Sequence, residues 1–252
     1  ICSPLTWEET KAYAEALLDS NPKRLPIVAP GDLWILQGFV ESNSASYSKD
    51  LETPTFDDPG VIEAIQFFCD MVHAWNLMEV RSYGEASEDF LAGDAAMMYN
   101  STGSMAFVRD NATFDWSVGP LPKNTEHSFP YGGGGLFLFK GHPQAEEAAA
   151  WKFLKYLTSP EITAHWSRTS GYFAVRKSAY DLPEMKAYFQ QFPQAGEAAD
   201  LLQYTNAEWV MYRHAEAHKM ASDVIEEVVV LAEKTPKEGM AELQQSLNQL
   251  FQ

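Results

Sequence analysis

The chain has 252 residues, 46% hydrophobic and 21% charged, with 18 Lys and Arg against 35 Asp and Glu for a formal net charge of −17. A surface this acidic repels phosphodiester backbones and anionic bilayers, which excludes nucleic-acid binding, and no apolar run approaches the ~20 residues that cross a membrane. The apolar fraction is that of a globular protein with a real core, roughly one or two domains by length.

Thr6-Trp7-Glu8-Glu9 is a capping box, with Thr6 as N-cap and Glu9 three residues on, and it opens a helix carrying Tyr13, Ala14, Ala16, Leu17 and Leu18. Asn21-Pro22 ends that helix. Residues 25–29 read as a short buried strand stopped by Pro30-Gly31, and residues 32–40, with Trp34, as a helix. Residues 42–56, rich in Ser, Asn, Thr and Pro, predict a loop. Asp58-Pro59 then starts a helix whose apolar positions, Val61, Ile62, Ile65, Phe68, Cys69, Val72 and Trp75, keep close to helical period.

A short helix is expected over 87–91, a strand over 95–99 after Gly93-Asp94, and a polar loop over 100–104. Residues 116–121 are a further strand candidate, closed by Pro120 and Pro122. Residues 123–131 read as a polar loop, and four glycines at 132–135 lead into a strand over 136–139. Helices are expected over 144–157 and from Ser159-Pro160-Glu161, with Ser159 as N-cap. Beyond Gly171 the chain reads as mostly helical, and Thr235-Pro236-Lys237-Glu238 caps a last amphipathic helix. The pattern is α/β and helix-rich, with short strands that end in Gly/Ser loops.

Two cysteines are too few for a disulfide framework and lack metal or redox spacing. Cys69, inside an apolar run, reads as a small core residue, and pairing with Cys2 would need an oxidising compartment. The chain opens at Ile1-Cys2-Ser3-Pro4 without an initiator Met or a signal peptide, as expected of a processed or cut chain.

His214 and His218 stand four apart on an expected helix, but no Glu follows His214 as the zinc-protease pattern requires. A solvated face is the simpler account, and no metal or cofactor is expected. Gly103-Ser104 lacks the second Gly of a nucleophile elbow. The 132–135 run precedes a strand and has no Lys-Ser or Lys-Thr pair, so it is not a P-loop; its glycines still let backbone N–H groups approach a ligand closely. What remains is a group of rings and hydroxyls at loop positions: Trp34, Ser101, Thr102, Ser104, Tyr131 and Tyr172. Flat rings with neutral donors and acceptors around them suit a polyhydroxylated ligand. Any one of the rings alone reads as core, and their grouping near strand ends is what carries the idea.

Taken in order, several segments resemble the family 1 extracellular solute-binding proteins, the ligand-capturing components of bacterial ABC importers. They are Leu5-Thr6-Trp7-Glu8-Glu9, Phe90-Leu91-Ala92-Gly93-Asp94-Ala95-Ala96-Met97-Met98, Ser101-Thr102-Gly103-Ser104, residues 132–139, residues 150–161, and Thr169-Ser170-Gly171-Tyr172-Phe173-Ala174-Val175. The resemblance implies a type II periplasmic-binding-protein-like α/β fold, no catalytic role and no cofactor. It implies capture of a carbohydrate or glycerol-phosphate-type ligand between two lobes, and delivery to the transmembrane subunits of an ABC permease. A periplasmic or extracellular location follows, without membrane insertion and with a lipid anchor through a missing N-terminus as an option. The alternative is a glycoside or glycerophosphodiester hydrolase, since a catalytic carboxylate pair cannot be told from solvated charges by sequence.

Within the family the likeness to the glycerol-phosphate-binding group implies ligand contacts at Ser101, Gly133 and Tyr172, with Thr102, Ser104 and Gly134 beside them and Trp34 in a matching Trp-bearing stretch. That group's phosphate-pairing Arg aligns here with Ala221. Arg213 or Lys219 can stand in only with a slip in the alignment, so a neutral sugar is as good an expectation as a glycerophosphodiester. The family pattern also implies that residues 1–130 and 183–252 form a C-terminal-type lobe. Residues 131–182 would be a crossover segment of another lobe, most of which precedes this chain.

Overall fold

The structure, a computed structural model, describes residues 3–252. Cys2, and with it the pairing expected with Cys69, lies outside the described residues. In chain order the elements are α1 (Trp7–Ser20), β1 (Leu25–Ala29), α2 (Leu33–Ser42), α3 (Pro59–Cys69), β2 (Met78–Val80), α4 (Tyr83–Ala92), β3 (Ala95–Met98), α5 (Met105–Asn111) and β4 (Phe129–Tyr131). They continue with α6 (Gln144–Leu157), α7 (Pro160–Ser170), α8 (Pro183–Gln191), α9 (Pro193–Asp200), β5 (Thr205–Ala207), α10 (His214–Ile225) and α11 (Pro236–Leu250).

Local chemistry sets the helix starts. The Thr6 hydroxyl accepts from the Glu9 backbone N–H, and Asp58 and Ser159 cap helices that have Pro in their first turn. Full capping boxes open α4 through Ser82 and Glu85 and α11 through Thr235 and Glu238. Gly93 and Gly171, at φ +82 and +90, end α4 and α7 in the left-handed conformation that glycine adopts at little cost.

The chain divides into two compact units. Unit 1 runs through Asn100 and adds Gly119–Tyr131 and Gln203–Gln252; unit 2 is Ser101–Val118 with Gly132–Leu202. The principal sheet of unit 1 is parallel, ordered β2-β1-β3, with Ile27 opposite Met78 and Met97. A second parallel pair, β4 with β5, sets Phe129 opposite Thr205 and Tyr131 opposite Ala207. The unit 1 core takes Ile27, Leu36, Phe39, Phe68, Ile225 and Leu243 from five different elements, β1, α2, α3, α10 and α11. Buried Gln244 of α11 ties it together, accepting from Phe56 N at 2.8 Å and donating to Pro54 O at 2.9 Å. Cys69 is buried there with Sγ 3.7 Å from the Val228 carbonyl, and burial, aided by Asp70, pushes its thiol up to about 12. Unit 2 has a smaller core around Met105, Ala164, Met185, Tyr188 and Phe192.

Several expectations change. Residues 116–121 are not a strand: Pro120 and Pro122 remove ladder donors, and the chain passes from unit 2 to unit 1 within that stretch. Residues 136–139 are not a strand either, because no other described segment pairs with them, and an unpaired strand leaves its backbone groups unsatisfied. The pairing instead uses 129–131, read from sequence as polar loop. Helix α4 begins at Tyr83, four residues before its expected start at 87, and both α5 and the three-residue β2 are additions. Unit 2 gathers residues 101–118 and 183–202 with residues 132–182.

Candidate functional site

In unit 2, Ser101 opens a single 3-10 turn over Thr102–Ser104. Its hydroxyl accepts from Gly103 N at 3.2 Å, and Ser104 N donates to Ser101 O at 2.9 Å. The Tyr172 ring lies directly on this turn. A Cβ at Gly103 would sit 2.6 Å from Tyr172 Cζ, so only glycine admits the ring there. A Cβ at Gly171 would lie 2.5 Å from the Thr102 carbonyl oxygen, so the end of α7 also meets the turn at glycine distance. Ser101, Thr102, Ser104 and Tyr172 are thus brought together, with the Tyr172 ring 40% exposed beside the hydroxyls.

Gly133 and Gly134 are exposed, and a Cβ at either would meet nothing within 4 Å, so they stand apart from that turn. The same stretch of unit 2 exposes several aromatic side chains. Phe137 and Phe139 are 80% and 75% exposed, α6 has no buried residue, and its Trp151, Phe153 and Tyr156 are all exposed.

In unit 1, Trp34 sits in the first turn of α2, half-buried, with its indole Nε1 covered and without a hydrogen-bond partner. Its ring centroid is 6.5 Å from that of Tyr83, at 54°. Asp32 fixes both residues: Oδ1 accepts from Ile35 N at 2.9 Å as the α2 N-cap, and Oδ2 accepts from the Tyr83 hydroxyl at 2.7 Å. Burial, then the Asp32 and Glu208 charges, raise the Tyr83 phenol well above its ordinary value, so it stays a neutral donor. Asn100 follows β3 and donates to Tyr83 O at 3.0 Å. Asp32, Tyr83 and Asn100 stand just past the carboxyl ends of β1, β2 and β3, where open parallel sheets hold ligands. Sequence reasoning missed them because it missed β2; the capping box at Ser82 and Glu85 was the available signal.

Arg213 takes the left-handed conformation at φ +53 at the start of α10. Its guanidinium is paired with Glu216, which raises its pKa further, and donates to the Leu250 carbonyl at 3.1 Å. Ala221 is fully buried on α10, whereas Lys219, two residues earlier, is exposed and paired with Asp223 at 2.8 Å. His214 and His218 lie 5.4 Å apart against the Trp209 ring, and no cluster of three potential ligands gathers around them among the described residues.

A short parallel sheet under helices, with rings and hydroxyls where strands end, has the architecture of a type II periplasmic-binding-protein fold. The family model described as bacterial extracellular solute-binding protein matches residues 3–194, and the chain belongs to that family. Among its relatives, the sn-glycerol-3-phosphate-binding periplasmic protein UgpB of Escherichia coli K12 is 27% identical over 208 residues, 77% of this chain and 47% of the relative. The chain therefore spans about half the length of the curated relatives it matches. The crystal structure of Mycobacterium tuberculosis UgpB in complex with glycerophosphocholine superposes with a TM-score of 0.86 at 28% identity, covering 99% of this chain and 64% of that one. Maltose-bound T. maritima MalE3, at 19% identity, shares the fold with a TM-score of 0.87 over 99% of this chain and 66% of its own. Among the described residues no helix is long and apolar enough to cross a membrane.

Proposed function

We propose that this chain is the solute-binding component of an ABC importer. It captures a carbohydrate or glycerol-phosphate-type solute in the periplasmic or extracellular space and hands it to the permease transmembrane subunits, with no catalytic step. The observation that carries this reading is the serine turn closed under Tyr172. Hydroxyls that both donate and accept lie beside a half-open ring, which suits a polyol. The family membership supports it. Ser101, Thr102, Ser104, Tyr172 and Trp34 are the proposed solute contacts, with Gly133, Gly134 and Arg213 as further candidates.

We also propose that residues 131–182 belong to a second lobe whose remainder is a polypeptide outside this sequence. The exposure of Phe137, Phe139, Trp151 and Tyr156 supports this, since large exposed apolar side chains in number mark an interaction surface.

Calorimetric titration of the full-length protein with maltose, glycerol 3-phosphate and glycerophosphocholine tests the functional reading. Saturable binding to at least one of them is expected, weakened about tenfold or more by Tyr172→Ala, the scale of one lost ring contact. Absence of binding to the whole panel, or turnover of a chromogenic glycoside, overturns it.

A further inference from the structure

Solute capture leaves the His214 and His218 pair of unit 1 without a task. Four positions apart at the start of α10, the two residues stand one turn from each other on a single helix face. The sequence alone favours a solvated face for them. The structure instead half-buries both rings against Trp209, which is 7% exposed and lies 5.8 Å from His214 and 6.5 Å from His218 between ring centroids. Gln37 in turn holds the Trp209 backbone through its bond to Trp209 N.

One nitrogen of each imidazole is already engaged or covered. His218 Nδ1 lies 3.3 Å from the Ser222 hydroxyl, which accepts from Nδ1–H in the tautomer that leaves the lone pair on Nε2. An outer hydroxyl of this kind orients an imidazole for a metal ion. His214 Nδ1 is covered and has no hydrogen-bond partner. Among the described residues neither Nε2 is covered or bonded to a protein group, so each ring keeps a free ligand atom. The ring centroids are 5.4 Å apart and the planes cross at 60°, so the rings do not stack on each other. Metal–nitrogen bonds of about 2.0–2.1 Å to two neighbouring ligands set imidazole centroids roughly 4.5–5 Å apart, and small side-chain rotations close this pair on one ion.

Ligand type narrows the ion. Calcium and magnesium take oxygen ligands, whereas neutral imidazoles suit zinc(II), nickel(II) and copper(II). A net charge of −17 draws divalent cations toward the surface. Because no group of three potential ligands forms among the described residues, the other coordination positions fall to water or to an oxygen of a small molecule.

We propose that His214 and His218 form a two-imidazole site for a late first-row divalent cation, copper(II) ahead of zinc(II), with Trp209 behind the pair and Ser222 orienting His218. The site belongs to unit 1, whereas the serine turn belongs to unit 2, and it stands whether or not the solute-binding reading does.

Full-length protein titrated with CuCl2 and then with ZnCl2, followed by tryptophan emission, tests the site. Copper(II) quenches an indole this close and closed-shell zinc(II) does not. The expected result is saturable quenching by copper, reversed by excess zinc and largely lost in Trp209→Phe. Loss of an outer partner of a metal ligand costs about 10–100-fold in affinity, and loss of the ligand itself no less, so His218→Gln should weaken the copper transition about tenfold or more. Melting temperatures report folding of the variants. Electron paramagnetic resonance of the wild-type protein with one equivalent of copper should show coupling to two imidazole nitrogens, a readout that needs no variant. Copper affinity unchanged in the double variant His214→Gln with His218→Gln, undiminished quenching in Trp209→Phe, or coupling to fewer than two nitrogens overturns the inference.

Discussion

Gln37 illustrates how one buried side chain orders a whole segment. It is 4% exposed, its Nε2 donates to Ala207 O at 2.9 Å and to Glu41 at 2.7 Å, and its Oε1 accepts from Trp209 N at 2.9 Å. Leucine fills similar space but leaves a buried N–H and a buried carbonyl without partners, at a cost of about 1–3 kcal/mol. Gln37→Leu is expected to lower the denaturant midpoint of unit 1 by the corresponding amount, with the slope of the transition unchanged. This role has no sequence signature, because the two backbone groups it ties, Ala207 O and Trp209 N, are about 170 positions away. The serine turn and Tyr172 were legible as residue types in a motif; Asp32 and Tyr83 were not, since they matter through a strand of three residues that includes the charged Glu79.

Helix ends are where the sequence speaks most directly to the elements. Thr235 and Glu238 cap α11 reciprocally, and the Thr235 hydroxyl and backbone N–H hold the Glu238 carboxyl below its ordinary 4.5. Because the folded value is depressed, the stabilisation is complete above the ordinary value and is lost as pH falls through the folded one. Glu238→Gln should therefore flatten the stability profile below about pH 4.5 and leave its shape near neutrality unchanged, as read by thermal melts across pH. At the end of α7, Gly171→Ala meets both a positive φ and a carbonyl at 2.5 Å. A loss of about 1–3 kcal/mol in unit 2 is expected from thermal unfolding, with reduced protection of the 101–104 amides against hydrogen exchange. Strands were harder to read than caps because a cap is complete within four residues, whereas a strand exists only with a partner. Residues 136–139 are a short apolar run like a buried strand yet have no partner among the described residues.

At the scale of the molecule, a net charge of −17 coexists with an uncovered aromatic face on unit 2. Charge repulsion is screened beyond about 8–10 Å at physiological ionic strength, while apolar contact is not. The 252-residue chain by itself is expected to bind an apolar dye and to associate increasingly as salt is raised. Phe137→Ser with Phe139→Ser should remove most of both effects, measured by dye fluorescence and sedimentation velocity. An unchanged signal in the double variant would place the association elsewhere. The α/β class and the family were legible in the order of local motifs.

The chain passes from one unit to the other four times, after residues 100, 118, 131 and 202. Neither unit is a continuous stretch, and this sets an order of events during synthesis. Leu243 and Leu247 of α11 are fully buried in the unit 1 core, and Gln244 bonds to residues 188 and 190 positions earlier. On the ribosome, β1, α2 and α3 emerge long before the helix that seals them and must wait with apolar surface open. Residues 236–252 thus complete the unit 1 core. A chain without them carries an unfinished core, a natural substrate for chaperones and proteases.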